Sequence, residues 1–169
     1  ALPLFEAAAR AAPGAERQAW LAETYRRLGR PDDAATAARR ALELDAFDPF
    51  GHEVLANLYN PLYSGWEHVS AETTWVHARA AVACDPTHAS AWLVVWLQAM
   101  LRGERAEEDR ALGELATRRF FTPAALAFGR WLLSSAPPHA VLLTNGDMDT
   151  YPLHVLQASE GLRRDVEIV

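Results

Sequence analysis

Leu21-Ala22-Glu23-Thr24-Tyr25-Arg26-Arg27-Leu28-Gly29 is echoed 34 positions later, where Leu55-Ala56 and Tyr59 repeat the spacing of Leu21-Ala22 and Tyr25. A fixed period of this size marks an architecture of stacked helix pairs. Each unit carries an apolar face that only its neighbour can cover. Gly29 can adopt the left-handed conformation that ends a helix, and Pro31 suits the first turn of the next one.

Outward from this stretch, the second helix of the first pair reads from Asp32 to Asp45, and Ala78 to Pro86 is its counterpart, displaced by 40 positions rather than 34. The second pair therefore carries about six extra residues. They fall in Asn60-Pro61-Leu62-Tyr63-Ser64-Gly65-Trp66, where Pro and Gly break the helix and two aromatics extend the loop. With that shift, Trp92, Val95, Trp96, Ala99 and Gly103 occupy the places of a third first-helix. Small residues such as Ala22, Ala34, Ala38 and Ala41 let paired helices approach closely, with Tyr25 and Leu44 expected to fill the gaps.

Leu21-Ala22-x-x-Tyr25, Leu28-Gly29-Arg30 and Ala41-Leu42-Glu43-Leu44-Asp45 resemble the tetratricopeptide repeat family, over roughly residues 16 to 119. The expected fold is mainly α, a tetratricopeptide-like α-solenoid of antiparallel helix pairs. Repeats span about 16–48, 49–86 with the insertion near 60–66, and 87–119, followed by a helix at 122–135. The resemblance implies a curved surface that binds a protein partner.

Beyond residue 135 the pattern changes. Pro137-Pro138 precedes the apolar run Ala140 to Thr144; a polar loop, Asn145-Gly146-Asp147-Met148-Asp149-Thr150, leads to a helix from Tyr151 to Glu160, stopped by Gly161. Asp165 to Val169 reads as a second strand, so 136–169 is expected to be a small βαβ-like segment with two parallel strands. Gly146-Asp147-Met148-Asp149-Thr150, with Tyr151-Pro152-Leu153, Leu156-Gln157, Glu160-Gly161 and Arg163-x-Asp165-Val166, resembles a C-terminal region of uncharacterised, mannosyltransferase-like bacterial membrane proteins. That family's pattern has Asn where Met148 stands and commonly an aromatic at the position of His154. Its membrane-embedded portion is absent, and glycosyltransferase activity does not carry over. What the resemblance implies is an extracytoplasmic or periplasmic setting and association with a membrane or envelope complex.

Composition narrows the function classes. Half the residues are hydrophobic and 22% are charged, which fits a folded chain. Net charge is -6, all 16 basic residues are Arg, and they are dispersed; no basic stripe for nucleic acid exists. Cys84 is the only cysteine, which excludes an internal disulfide and a cysteine-based zinc set. The best apolar stretch, Ala89 to Leu101, contains Gln98 and is too short to span a membrane. The start at Ala1, without an initiator Met or a leader, is expected to reflect processing or excerpting, and Val169 ends the chain inside a strand-like run.

Two groups of candidate site residues follow. Tyr63 and Trp66 in the insertion either meet a partner or pack on the solenoid, and Trp92 and Trp96, four apart, form either inter-repeat core or a docking stripe. Asp147 and Asp149 would suit a divalent cation or sugar hydroxyls, while Asp149 or Thr150 is also a natural helix N-cap. No other cofactor is expected. The six histidines contain no His-x-x-x-His pair, and no recognisable set of nucleophile, base and oxyanion donors points to an enzyme; the alternative reading is a fragment of an α/β sugar- or metal-binding, glycosyltransferase-associated enzyme with the Asp147 loop at its site.

Overall fold

The computed structural model describes residues 2–12 and 14–169. In chain order the elements are α1 (Leu2–Ala11), α2 (Ala15–Arg27), α3 (Pro31–Leu44), α4 (Pro49–Tyr59), α5 (Ala71–Cys84), α6 (Ala89–Arg102), α7 (Arg105–Thr117), α8 (Pro123–Ser135), β1 (Val141–Leu142), α9 (Asp147–Glu160) and β2 (Glu167–Ile168). They form two compact units, Ala1–Gln98 and Ala99–Val169. The sequence pattern alone placed the division at 135/136. In the structure α7 and α8 both pack on α9 and so group with the C-terminal segment.

In the first unit α2 packs on α3, α3 on α4, and α4 on α5. Ala22, Ala34, Ala38 and Ala41 are fully buried at these contacts, which is why small side chains recur there. Gly29 takes φ +68° and Pro31 opens α3, as the sequence indicated. Leu44 is a correction: it is exposed at the last turn of α3, and Leu42 packs against the core instead. Gly51 marks a close approach. A Cβ there would lie 3.0 Å from Asp48 Oδ1 and 3.1 Å from Leu42 Cδ2.

In the second unit β1 and β2 pair in parallel, Val141 opposite Glu167 and Leu142 opposite Ile168. The strands are shorter than the apolar runs implied, although Glu167 N donates to Ala140 O and Thr144 N to Val169 O, extending the pairing at its ends. Leu133, Leu153, Leu156 and Val166 form the core beneath them. Helix α9 begins at Asp147, four residues earlier than expected, because Gly146 turns the chain at φ 133° and Pro152 is accommodated within the helix. Gly161 closes it in the left-handed conformation, at φ 66°.

Arg163 ties this unit together. Its guanidinium donates to the carbonyls of Leu133, Ala136 and Pro137 at 2.8–2.9 Å, closing the carboxyl end of α8, and to Asp165. Asp165 in turn accepts from His139 N at 3.0 Å.

Candidate functional site: the cleft beside the insertion

The insertion is shaped by local chemistry at both ends. Asn60 follows α4 and is fully buried, its Oδ1 accepting from Leu62 N at 3.0 Å and Gln98 Nε2 at 3.3 Å. Ser70 caps α5 by accepting from Thr73 N at 3.2 Å. Between them the loop folds back over the solenoid. Trp66 is 7% exposed, donates from Nε1 to Asp32 Oδ1 at 3.0 Å, and packs on Tyr59 with ring centroids 5.2 Å apart.

Tyr63 behaves differently. It is 51% exposed, and its hydroxyl donates to Asn57 Oδ1 at 2.5 Å. With Arg26, Asn57, Leu58, Ser64 and Trp66 it lines a cleft of about 240 Å³. Arg26 is already neutralised: it donates from Nε to Glu23 at 2.7 Å, and Arg27 reaches the same carboxylate at 2.6 Å. Burial pushes the Glu23 pKa up, but the hydrogen bonds and charges of both arginines hold it below the usual carboxylate value. The cleft thus offers an aromatic wall, amide and hydroxyl groups and a paired guanidinium. Such a lining suits a polypeptide segment better than a free anion.

The four aromatics named from sequence separate accordingly. Trp92 and Trp96 are each 1% exposed in α6, and Trp92 donates to Pro86 O at 2.9 Å, so their spacing reports core and not a docking stripe. Trp66 is also interior. Only Tyr63 of the set presents itself to solvent.

Asp147 and Asp149 lie in the first turn of α9, where negative charge meets the positive end of the helix dipole. The N-cap is Gly146, without a side-chain cap, which corrects the assignment to Asp149 or Thr150. Asp149 Oδ2 instead reaches back to accept from Asn145 N at 3.0 Å, and Thr150 Oγ1 donates to Thr144 Oγ1 at 2.7 Å. Among the described residues no group of three or more His, Cys, Asp or Glu is arranged to hold a metal ion.

Sequence reasoning missed two arrangements that only tertiary packing creates. One is an open groove of about 940 Å³ in the second unit, lined by residues that include Asp109, Leu112, His154 and Glu167. Burial lowers the His154 pKa there. The other is a part-buried polar cluster between α4 and the start of α6, in which Glu53 accepts from His88 and from Ser90 Oγ. The hydrogen bond to Glu53 raises the His88 pKa, against the opposing effect of burial.

Stacked helix hairpins with a 34-residue echo and a cleft-forming insertion define a mainly helical, tetratricopeptide-like fold, with a small two-stranded parallel sheet in the second unit. Residues 15–58 match the tetratricopeptide repeat family, and residues 125–169 match TMEM260-associated domain 2. The second match begins inside α8, in keeping with the packing of that helix on α9. Among solved structures the chain is similar in fold to one described as the crystal structure of MamA, at 16% identity and a TM-score of 0.56, covering 95% of this chain and 87% of that one. No curated protein matches the chain significantly. No helix among the described residues is long and apolar enough to cross a membrane.

Proposed function

We propose that this chain is a non-catalytic protein-interaction module, a scaffold or accessory subunit that holds a partner polypeptide on its helical surface within a membrane-associated, extracytoplasmic assembly. The observation that carries the reading is the cleft beside the insertion. There a half-exposed Tyr63 stands over the α2–α4 surface while Trp66 anchors the loop beneath it. Aromatic side chains that combine an apolar face with a polar tip are enriched among the residues that anchor partners. The likeness of residues 125–169 to a TMEM260-associated domain supports a setting beside membrane proteins.

The test is capture. Immobilised wild type and Tyr63→Ala are incubated with detergent-solubilised membranes from the source cells, and retained proteins are identified by mass spectrometry. A membrane-protein partner retained by wild type should be depleted about tenfold or more with Tyr63→Ala, as expected for loss of an interface anchor. Equal retention by both proteins would argue against the cleft.

A further inference from the structure

We propose that His52 and His77, facing each other from α4 and α5, form a two-imidazole chelate for a divalent transition metal that favours tetragonal geometry, Cu2+ above all. This site is separate from the cleft and does not depend on the interaction reading.

The two Nδ1 atoms lie 2.9 Å apart. With metal–nitrogen bonds of about 2.0–2.1 Å, that separation subtends an angle of about 90° at a shared ion. This is the cis spacing of a tetragonal site; tetrahedral coordination would need the nitrogens about 3.3 Å apart. The tautomer of His52 is set from behind. Its Nε2 lies 3.2 Å from the Ala46 carbonyl, which can only accept, so Nε2 carries the proton and Nδ1 presents a lone pair. A ring nitrogen held by a backbone carbonyl is the usual outer support of a metal-ligating histidine.

Without metal, His77 Nδ1 donates to that lone pair. Metal binding moves the His77 proton to its Nε2 and requires the rings to turn until both lone pairs meet at a common point. Both rings are only partly buried, which leaves a route for the ion and for the waters that complete its coordination. Arg39 is the opposing influence. Its guanidinium donates to Tyr59 Oη at 2.8 Å, close enough to be felt at His77, and it limits affinity for a dication.

The experiment is titration of the whole chain with CuCl2 and, separately, ZnCl2 in a non-coordinating buffer, followed by calorimetry and by electron paramagnetic resonance for Cu2+. One saturable Cu2+ site is expected, tighter than Zn2+ as the divalent-metal order requires, with hyperfine splitting from two nitrogens. His52→Ala and His77→Ala should each weaken it by about ten- to a hundredfold, while His139→Ala leaves it unchanged. Circular dichroism checks each variant. Where an alanine variant unfolds, the glutamine variant replaces it, because glutamine keeps a hydrogen-bonding side chain without an imidazole. Absence of a saturable site, or a Cu2+ site of undiminished affinity in the double variant, overturns the proposal.

Discussion

At the scale of single residues, two aromatics three positions apart have opposite fates, and they should respond oppositely to truncation. Trp66 fills space against Tyr59 and spends its indole N–H on Asp32, so Trp66→Ala should cost about 3–5 kcal/mol of stability to the first unit. Tyr63→Ala removes a half-exposed ring and its hydrogen bond to Asn57 and should cost less than Trp66→Ala, about 1 kcal/mol. Urea denaturation of both variants checks this, and equal losses would show that the loop does not pack as described. In the second unit the sensitive small residue is Gly129. A Cβ there would sit 3.0 Å from Leu156 Cδ1 and 3.2 Å from Leu153 Cδ2, inside the α8–α9 contact. Gly129→Ala should therefore overpack the interface and cost about 1–3 kcal/mol, read from the same denaturation curves. The reverse result, a more stable protein through reduced unfolded-state entropy, would mean that the two leucines yield freely.

Elements show where the sequence could be read and where it could not. Helices α3, α4 and α8 begin at Pro31, Pro49 and Pro123, and α2 is followed by Gly29; these are local signals, which is why the helical pairs and their period were legible. The start of α9 was not. It depends on Gly146 reaching φ 133° and on Asp149 bonding back to Asn145, both set by where β1 delivers the chain. Periodicity also could not tell which insertion aromatic would turn inward, because that is decided by Asp32, 34 residues away in sequence. The C-terminal motif residues prove to be largely fold-making. Gln157 donates to the Arg163 and Val166 carbonyls, Glu160 pairs with Arg130, and Arg163 clasps α8. Arg163 holds φ 45°, so glycine would relieve its backbone while deleting the clasp. If the clasp dominates, Arg163→Gly and Arg163→Lys should both lower the melting temperature and speed hydrogen exchange at the carboxyl end of α8, Lys less than Gly. Faster exchange there in neither variant would reduce the clasp to a surface contact.

For the whole molecule the titrating groups divide between the two units with different signs, and acid should therefore act on the units unequally. In the first unit His88 has a pKa raised above 6.5, so the stability it adds is complete below about pH 6.5 and is lost as pH rises through the higher folded-state value. His77, lowered to about 4, contributes in the other direction: its share is present above 6.5 and is lost as pH falls from 6.5 towards 4. The two partly cancel on acidification. In the second unit both groups act the same way. Burial lowers the His154 pKa, so its contribution fades as pH falls below 6.5. The hydrogen bond from Arg163 holds the Asp165 pKa well below 3.8, so its contribution is lost only once pH drops below that value. Between about pH 7.5 and pH 5 the second unit should lose protection steadily, while in the first unit His88 offsets part of the loss at His77. Hydrogen exchange with mass spectrometry, corrected for intrinsic rates, reads the units separately. His154→Leu should flatten the response of the second unit, because an apolar side chain at that half-buried position has no proton to gain. A steep response surviving in that variant would place the acid-sensitive group elsewhere, and a first unit that loses protection as fast as the second would mean that the His88–Glu53 bond adds little against the half-buried His77.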